Sequence, residues 1–409
     1  MIARLLKPIV LEKIGQGKAI IIIGPRQVGK TTLSKSIAKS FDQSSYKNWD
    51  ETLFRRLWTK SPNSVKESFR LEKSKESKIL VLDEIHKARG WKQKLKGLYD
   101  ELNQELAIIV TGSARLNVFK KGGDSMLGRY FHFRLHPLSY GELTSRNSMD
   151  RKSVEPESWR ASLFQKSAQS FNQAPLEKLL KLSGFPEPFL SGSEKTLRLW
   201  RKGRTDKIVR EDLRDLSRLQ ELSRVEMLAS LLPERVGSPL SIQSLREDLE
   251  VAHDTVRRWL NYLDELYYFF ELKPWTRSIA RSLKKEGKIY LYDWTEVDEP
   301  GPRFENLVAC HLLKACHFWT DTGEGLFDLF YLRDKEKNEI DFLIVKDKKP
   351  WLCVEAKRSD TTINHRSTEK FQRQLGNPLF VQVVLETEVW RVEGSRAVVS
   401  ANRFFSALP

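Results

Sequence analysis

Apolar and polar positions along this chain repeat with two periods. An amphipathic helix is predicted over Ile2–Ile14, and the unbroken apolar run Ala19–Ile23 then stops at Gly24. A short apolar run between turn signals is the pattern of a strand buried on both faces. Helical spacing resumes over Thr32–Lys39, so the opening reads strand, glycine-rich loop, helix. Two further runs, Ile79–Leu82 and Ala107–Thr111, alternate with helical stretches such as Trp91–Gln104. Strands alternating with helices build a parallel sheet with covering helices, so an α/β first domain is expected.

Beyond it the pattern changes four times. Thr144–Ala174 is rich in Ser, Arg, Asn and Gln with little periodicity, as in a polar linker or insertion. Leu176–Leu232 has helical spacing broken by Gly184, Pro186 and Pro188, which predicts a small helical lid. Pro239–Asp293 reads as a compact helical unit followed by strand-like Tyr267–Leu272 and Lys288–Tyr292, and from Pro302 a helix leads into several strands. These shifts divide the chain at 1–143, 144–174, 175–236, 237–298 and 299–409.

Composition narrows the class. A length of 409 residues exceeds one ordinary core, and 40% hydrophobic residues can build several. No apolar run is long enough to span a bilayer, and Met1–Gly15 lacks a signal-peptide pattern, so a cytoplasmic protein with no membrane partner is expected. Cys310, Cys316 and Cys353 lack metal or redox spacing and are expected to be buried thiols. Against 54 acidic residues stand 70 Lys and Arg, a net charge of +16. That excess points to a polyanionic partner, usually nucleic acid, with anionic lipid or an acidic protein as the other options.

The chemistry begins at the first glycine. Gly24-Pro25-Arg26-Gln27-Val28-Gly29-Lys30-Thr31, followed by Thr32, has the P-loop spacing between a strand and a helix. Its backbone N–H groups would cradle the phosphates of ATP, Lys30 would reach the β and γ phosphates, and the Thr31 hydroxyl would ligate Mg²⁺. The second strand ends in Asp83-Glu84. Asp83 suits the surroundings of Mg²⁺, and Glu84 suits the base that activates the attacking water. Thr111 closes the third strand, placed to sense the γ-phosphate. Arg129 and Arg134 are candidate arginine fingers for a neighbouring copy in a homo-oligomer, although surface arginines of a basic protein look the same.

Two later segments carry further signals. Ser241–Leu249 and Asp254–Leu266 pattern as two helices with a tight turn, a helix-turn-helix. The second buries Val256, Leu260, Leu263 and Leu266 and leaves Thr255, Arg257, Arg258 and Asn261 for phosphate and base contacts. Glu339–Ile344 and Trp351–Lys357 flank the turn Lys346–Pro350 as a hairpin. Centred on Lys348, it sets Asp341 opposite Glu355 and Lys357 opposite Glu339, with Ile340, Phe342, Ile344, Leu352, Val354 and Ala356 on the other face. Two carboxylates and a lysine so arranged suit a Mg²⁺ or Mn²⁺ site for phosphodiester cleavage, and a solvated hairpin face with a salt bridge gives the same pattern.

Gly24–Thr32, Leu82–Lys87, Thr111–Leu116, Gly128–Tyr130, His136–Leu143 and Ser183–Phe189 together resemble the AAA-family (AAA_14-type) P-loop ATPases of bacteria and archaea that carry a C-terminal DUF4143 domain. The resemblance implies an AAA+ core, a winged helix and a fold related to the PD-(D/E)xK nucleases. Glu305 then matches the family's fourth site position. The expected function is a Mg²⁺-dependent ATPase acting on duplex, branched or damaged DNA, with a terminal domain that cuts or grips it. The contrasting expectation is a nucleotide switch whose later domains bind protein, as in a defence or toxin–antitoxin regulator.

Overall fold

The computed structural model describes residues 2–69, 76–102, 105–112, 128–144, 155–166, 170–212, 222–276, 286–359, 365–406 and 408–409. They form two compact units, Met1–His136 and Pro137–Pro409.

In the first unit, strands β1 (Ala19–Ile23), β2 (Gln43–Asn48), β3 (Lys78–Asp83), β4 (Ala107–Gly112) and β5 (Tyr130–Arg134) make one sheet in the order β2-β3-β4-β1-β5. Every pairing is parallel. Helices α1 (Leu6–Ile14), α2 (Lys30–Ala38), α3 (Thr52–Lys60) and α4 (Trp91–Leu102) accompany it. All residues of β1 and β3 are buried, as expected for a sheet covered on both faces. The polar strand β2, with only Ser45 buried, has no apolar run to announce it, because it lies at the sheet edge. Ile23 pairs with Gly112 and Asp83 with Thr111, so the loop after β1, Asp83 and Thr111 share one carboxyl edge of the sheet.

The second unit opens with helices α5 (Tyr140–Thr144), α6 (Pro156–Phe164), α7 (Ala174–Leu182), α8 (Pro186–Ser191), α9 (Glu194–Asp206) and α10 (Leu222–Leu231). Then come α11 (Ile242–Leu249) and α12 (His253–Glu265), the antiparallel pair β6 (Phe269–Leu272) and β7 (Lys288–Leu291), and the long α13 (Pro300–Thr322). Strands β8 (Phe327–Arg333), β9 (Glu339–Lys346), β10 (Lys349–Lys357), β11 (Leu379–Val384), β12 (Trp390–Glu393) and β13 (Arg396–Ser400) form a mixed sheet in the order β12-β13-β11-β10-β9-β8. Helices α14 (His365–Leu375) and α15 (Ala401–Ser406) complete the unit. The three cysteines are buried and free. Among the described residues no helix is long and apolar enough to cross a membrane.

Two features bear on the expected divisions of the chain. The stretch 144–174, read as a polar linker or insertion, contains α6. Its Trp159 is 1% exposed, its ring centroid lies 5.5 Å from that of Trp319 and 5.2 Å from that of Phe404, and its Nε1–H donates to Phe404 O at 3.0 Å. A nine-residue helix shows too few turns for its period to stand out. The first compact unit ends at His136, short of the expected 143, and α5 is tied to α13. Lys314 Nζ lies 2.6 Å from Glu142 Oε2, and the Tyr140 N–H donates to His311 Nε2 at 3.1 Å.

That second bond fixes the His311 tautomer. Nε2 accepts, so Nδ1 carries the proton and donates to Leu307 O at 2.9 Å. Burial, with Lys314 adding to it, holds the imidazole pKa down to about 3 against an ordinary 6.5. A folded value below the unfolded one gives stability that is complete above about pH 6.5 and is lost as pH falls towards 3, by about 1.4 kcal/mol per pH unit. Between pH 7 and pH 5 the urea midpoint of wild type should therefore fall further than that of His311→Gln. Equal falls would mean that the ring is not buried neutral.

Candidate functional site

The loop after β1 is built around its own lysine. Gly24 has φ 150°, and a Cβ there would lie 2.1 Å from Leu135 O, so any larger residue would push the chain after β5 away. Gly29, at φ 100°, turns the loop into α2. Between them Pro25, Arg26, Gln27 and Val28 curl the backbone, and the buried Lys30 ammonium donates to Gly24 O at 2.9 Å and to Pro25 O at 2.8 Å. Thr31 and Thr32 follow in the first turn of α2, where free N–H groups and the helix dipole favour an anion.

Asp83 is the centre of the site. Thr31 Oγ1 donates to its Oδ2 at 2.7 Å, Tyr46 OH donates to the same oxygen at 2.5 Å, and Thr111 Oγ1 donates to Oδ1. Three hydroxyls from α2, β2 and β4 thus fix one buried carboxylate. Burial, and then the Asp83 carboxylate, push the Tyr46 phenol well above its usual pKa, so it stays a donor. Lys35 Nζ sits 4.1 Å from the centre of the Tyr46 ring. Sequence reasoning missed Tyr46 because it belongs to no motif; a lone aromatic in a polar strand beside the acid-tipped strand was the available signal.

Glu84 follows in a left-handed conformation, φ 56°, its N–H donating to Thr111 O at 3.0 Å. Burial raises its carboxyl pKa, against the opposing fields of Lys30 and Lys87. Its Oε2 lies 3.6 Å from His86 Nε2 and 3.8 Å from Lys87 Nζ, and among the described residues nothing donates a hydrogen bond to it. A buried carboxylate oxygen to which the chain donates no hydrogen bond can accept a proton from a water brought beside it. Thr31 and Asp83 supply the hard oxygen donors that Mg²⁺ takes, so these residues fit that ion.

The two arginines separate. Tyr130 pairs with Ala19 and Arg134 with Ile23, which sets Arg129 at the amino edge of the sheet, away from the loop, and Arg134 at the carboxyl edge with it. Arg129 Nε lies 2.7 Å from Asp100 Oδ1, so its guanidinium serves no phosphate at its own chain's loop. Residues 113–116 of the Thr111–Leu116 segment lie outside the described residues.

In the second unit the hairpin register is the one parity predicts. Leu352 pairs with Ile344, Cys353 with Leu343 and Val354 with Phe342, while a bulge between Pro350 and Leu352 shifts the turn side by one residue. Where the ladder would reach Glu355, the Asp341 carboxylate accepts from the Ala356 N–H at 2.9 Å. Lys357 Nζ lies 3.0 Å from Glu355 Oε1. Glu305, on α13, accepts from Tyr290 OH at 2.7 Å, and burial together with Asp341 raises its pKa to about 7. The acid-bearing face is not solvated along its length: Leu343, Val345 and Cys353 are buried there with Phe371 of α14. The residue that sequence reasoning missed is Lys288 on β7, 3.6 Å from Glu305 Oε1 and paired with Glu339.

Comparison with known proteins places the end of the first domain at 144, beside the expected 143 and beyond the His136 end of the compact unit. Residues 16–144 match the AAA domain (AAA_14), 173–295 match a domain of unknown function (DUF8612), and 300–403 match DUF4143. An uncharacterized protein of Mycobacterium tuberculosis is 23% identical over 274 residues, 67% of this chain and 54% of that one. One of Methanocaldococcus jannaschii is 25% identical over 291 residues, 66% of this chain and 59% of that one. The chain thus spans little more than half the length of these relatives. Among solved structures, a Walker-type ATPase of Pyrococcus abyssi covers 76% of this chain and 96% of its own, with 14% identity and TM-score 0.43. The Orc1 protein of Aeropyrum pernix, in complex with DNA, covers 74% and 91% with 14% identity and TM-score 0.31. With the P-loop spacing, the β2-β3-β4-β1-β5 sheet and both domain matches in place, the chain belongs to the AAA-family P-loop ATPases of the AAA_14 type that end in a DUF4143 domain.

Proposed function

We propose that this protein hydrolyses ATP and acts on DNA, duplex or branched, through its second unit. The observation that carries the ATPase reading is the carboxyl edge of the first sheet, where the hydroxyl-bound Asp83 stands beside the Glu84 carboxylate, whose Oε2 accepts no hydrogen bond among the described residues. In this reading Lys30 and the loop N–H groups bind the phosphates, and Thr31 and Asp83 hold Mg²⁺, which supplies charge neutralisation between the β and γ phosphates. Glu84 takes the proton of the attacking water, and Thr111 keeps Asp83 and the γ-phosphate region in register. Arg129 or Arg134 would complete the site from another copy of the chain.

Support for DNA comes from the net charge of +16 and from α12. Val256, Trp259, Leu260 and Leu263 are buried, while Arg257, Arg258 and Asn261 are exposed. We read α11, α12 and the β6–β7 pair as a winged helix, with α12 as its recognition helix and the sheet-rich end as a nuclease-related fold that grips DNA. One observation favours the contrasting reading of a protein-binding switch. The cleft of about 730 Å³ between α12 and the hairpin places Asp264, Glu271 and Glu286 beside Arg257 and Asn261, and carboxylates repel phosphate.

Three outcomes follow. Lys30→Ala should weaken nucleotide binding by roughly tenfold or more, whereas Glu84→Gln should bind ATP normally and hydrolyse it about 10²–10⁴-fold more slowly. Wild-type turnover in Glu84→Gln removes it as the base. Tyr46→Phe should raise the Mg²⁺ concentration needed for half-maximal hydrolysis by roughly tenfold, because Asp83 loses a second-sphere partner, and an unchanged Mg²⁺ titration would make Tyr46 a packing residue only. Arg257→Ala with Arg258→Ala should lower DNA affinity and reduce the slope of log affinity against log salt by roughly one unit per phosphate contact. Unchanged binding would transfer the helix to the protein-binding reading.

A further inference from the structure

Glu305 of α13 and three carboxylates of the β9–β10 hairpin each already hold a donor from the chain itself. Glu305 accepts from Tyr290 OH at 2.7 Å. Asp341 accepts from the Ala356 N–H at 2.9 Å. Glu355 lies 3.0 Å from the Lys357 ammonium. Glu339 is shared by Arg333, at 3.3 Å, and Lys288. Lys288 comes from β7, outside the large sheet. Its side chain is 1% exposed, and its Nζ also lies 3.6 Å from Glu305 Oε1 and 5.5 Å from the centre of the Tyr331 ring. Its ammonium thus stands at ion-pair distance from carboxylates of two different elements, Glu305 of α13 and Glu339 of β9.

The family's nuclease-related fold implies a divalent ion among Asp341, Glu355 and Glu305, and the arrangement does not fit one. Mg²⁺ and Mn²⁺ take about six oxygens in octahedral geometry and keep several waters. Here the Gly237 backbone crosses so near Glu305 that a Cβ on it would stand 3.2 Å from Oε1. Among the described residues no three His, Cys, Asp or Glu side chains are gathered as a metal-holding group. A dication brought to Glu305 would also face a fixed ammonium at ion-pair distance in a weakly screened interior, where like charges repel strongly.

We infer that the cation of this carboxylate cluster is the chain's own Lys288, carried in by the β6–β7 hairpin, so that the cluster holds no divalent ion and the C-terminal domain does not cut DNA. The inference deepens the proposed reading of that domain as one that grips, and it rests on that reading but not on the P-loop. It also makes Lys288 a strut: the same ammonium that neutralises Glu305 and Glu339 fastens the hairpin following α12 to the sheet.

The test is Mn²⁺ binding to the full nucleotide-free chain, read by the electron paramagnetic resonance of free Mn²⁺, for wild type, Asp341→Asn, Lys288→Met and Lys288→Met with Asp341→Asn. Wild type and Asp341→Asn should bind Mn²⁺ identically. Lys288→Met should gain one site per chain, roughly tenfold or more tighter than anything in wild type, and the added Asp341→Asn should abolish it. Wild-type binding that depends on Asp341, Mn²⁺-dependent cleavage of duplex or junction DNA lost in Asp341→Asn, or a folded Lys288→Met that gains no site would each overturn the inference. If Lys288→Met does not fold, wild type against Asp341→Asn decides by itself. ATP hydrolysis on the same samples keeps the two readings apart: its absence in wild type sinks the ATPase proposal and has no bearing on the Mn²⁺ result.

Discussion

A carboxylate taken out of water must be bound by donors or it becomes neutral, and the first unit is organised around one such group, Asp83. Its partners come from α2, β2 and β4, elements far apart in sequence that meet only because β3 lies between β2 and β4 in the sheet. The strand order is therefore a condition of the site. Slip β2 by one residue against β3 and Tyr46 turns to the opposite face, since side chains alternate along a strand. The same carboxyl edge then carries the loop, because β1 pairs with β4 in a register that sets Ile23 beside Gly112.

The two units share the problem of buried charge. In the first, Asp83 accepts from three hydroxyls while its neighbour Glu84 keeps an oxygen that no described residue donates to, which is the asymmetry a proton-accepting site needs. In the second, several buried carboxylates are paired with lysine or arginine, although Asp293 Oδ2 likewise accepts no hydrogen bond among the described residues. Glu142 meets Lys314, Glu296 meets Arg204, and Glu305 and Glu339 meet Lys288. Breaking such a pair from one side costs about 3–5 kcal/mol because the survivor stays buried and uncompensated, so these pairs hold segments together more than they add net stability. Arg204 shows this well: it is 1% exposed, it also donates to Tyr267 O at 3.1 Å, and so it ties α9 to the segment between α12 and β6.

The parts legible in the sequence were those whose physics is local. β1, β3 and β4 are apolar runs that only a doubly covered strand needs, and Gly24 and Lys30 stand at fixed offsets because the loop closes on itself within a few residues. The hairpin register came from parity alone and holds from Leu352 to Val354. What stayed hidden depends on partners distant in sequence. An edge strand such as β2 has no periodic signature, Trp159 on a nine-residue helix looked like linker, and His311 became a neutral structural group only once Tyr140 was placed against it.

The C-terminal cluster shows why the same local reasoning can find residues yet miss what they do. Spacing brought Asp341, Glu355 and Lys357 to one end of a hairpin, and fold resemblance added Glu305; both describe where acids are. Whether acids bind a metal depends on the net charge and the free volume around them, and those are set here by β7 and by Gly237, about fifty and a hundred residues earlier in the chain. A single lysine reaching across from another element changes a cation-seeking cluster into a satisfied one without altering any residue of the motif. The pattern that defines such a site is therefore necessary for the chemistry and never sufficient, since the counter-charge that decides the outcome need not lie within it.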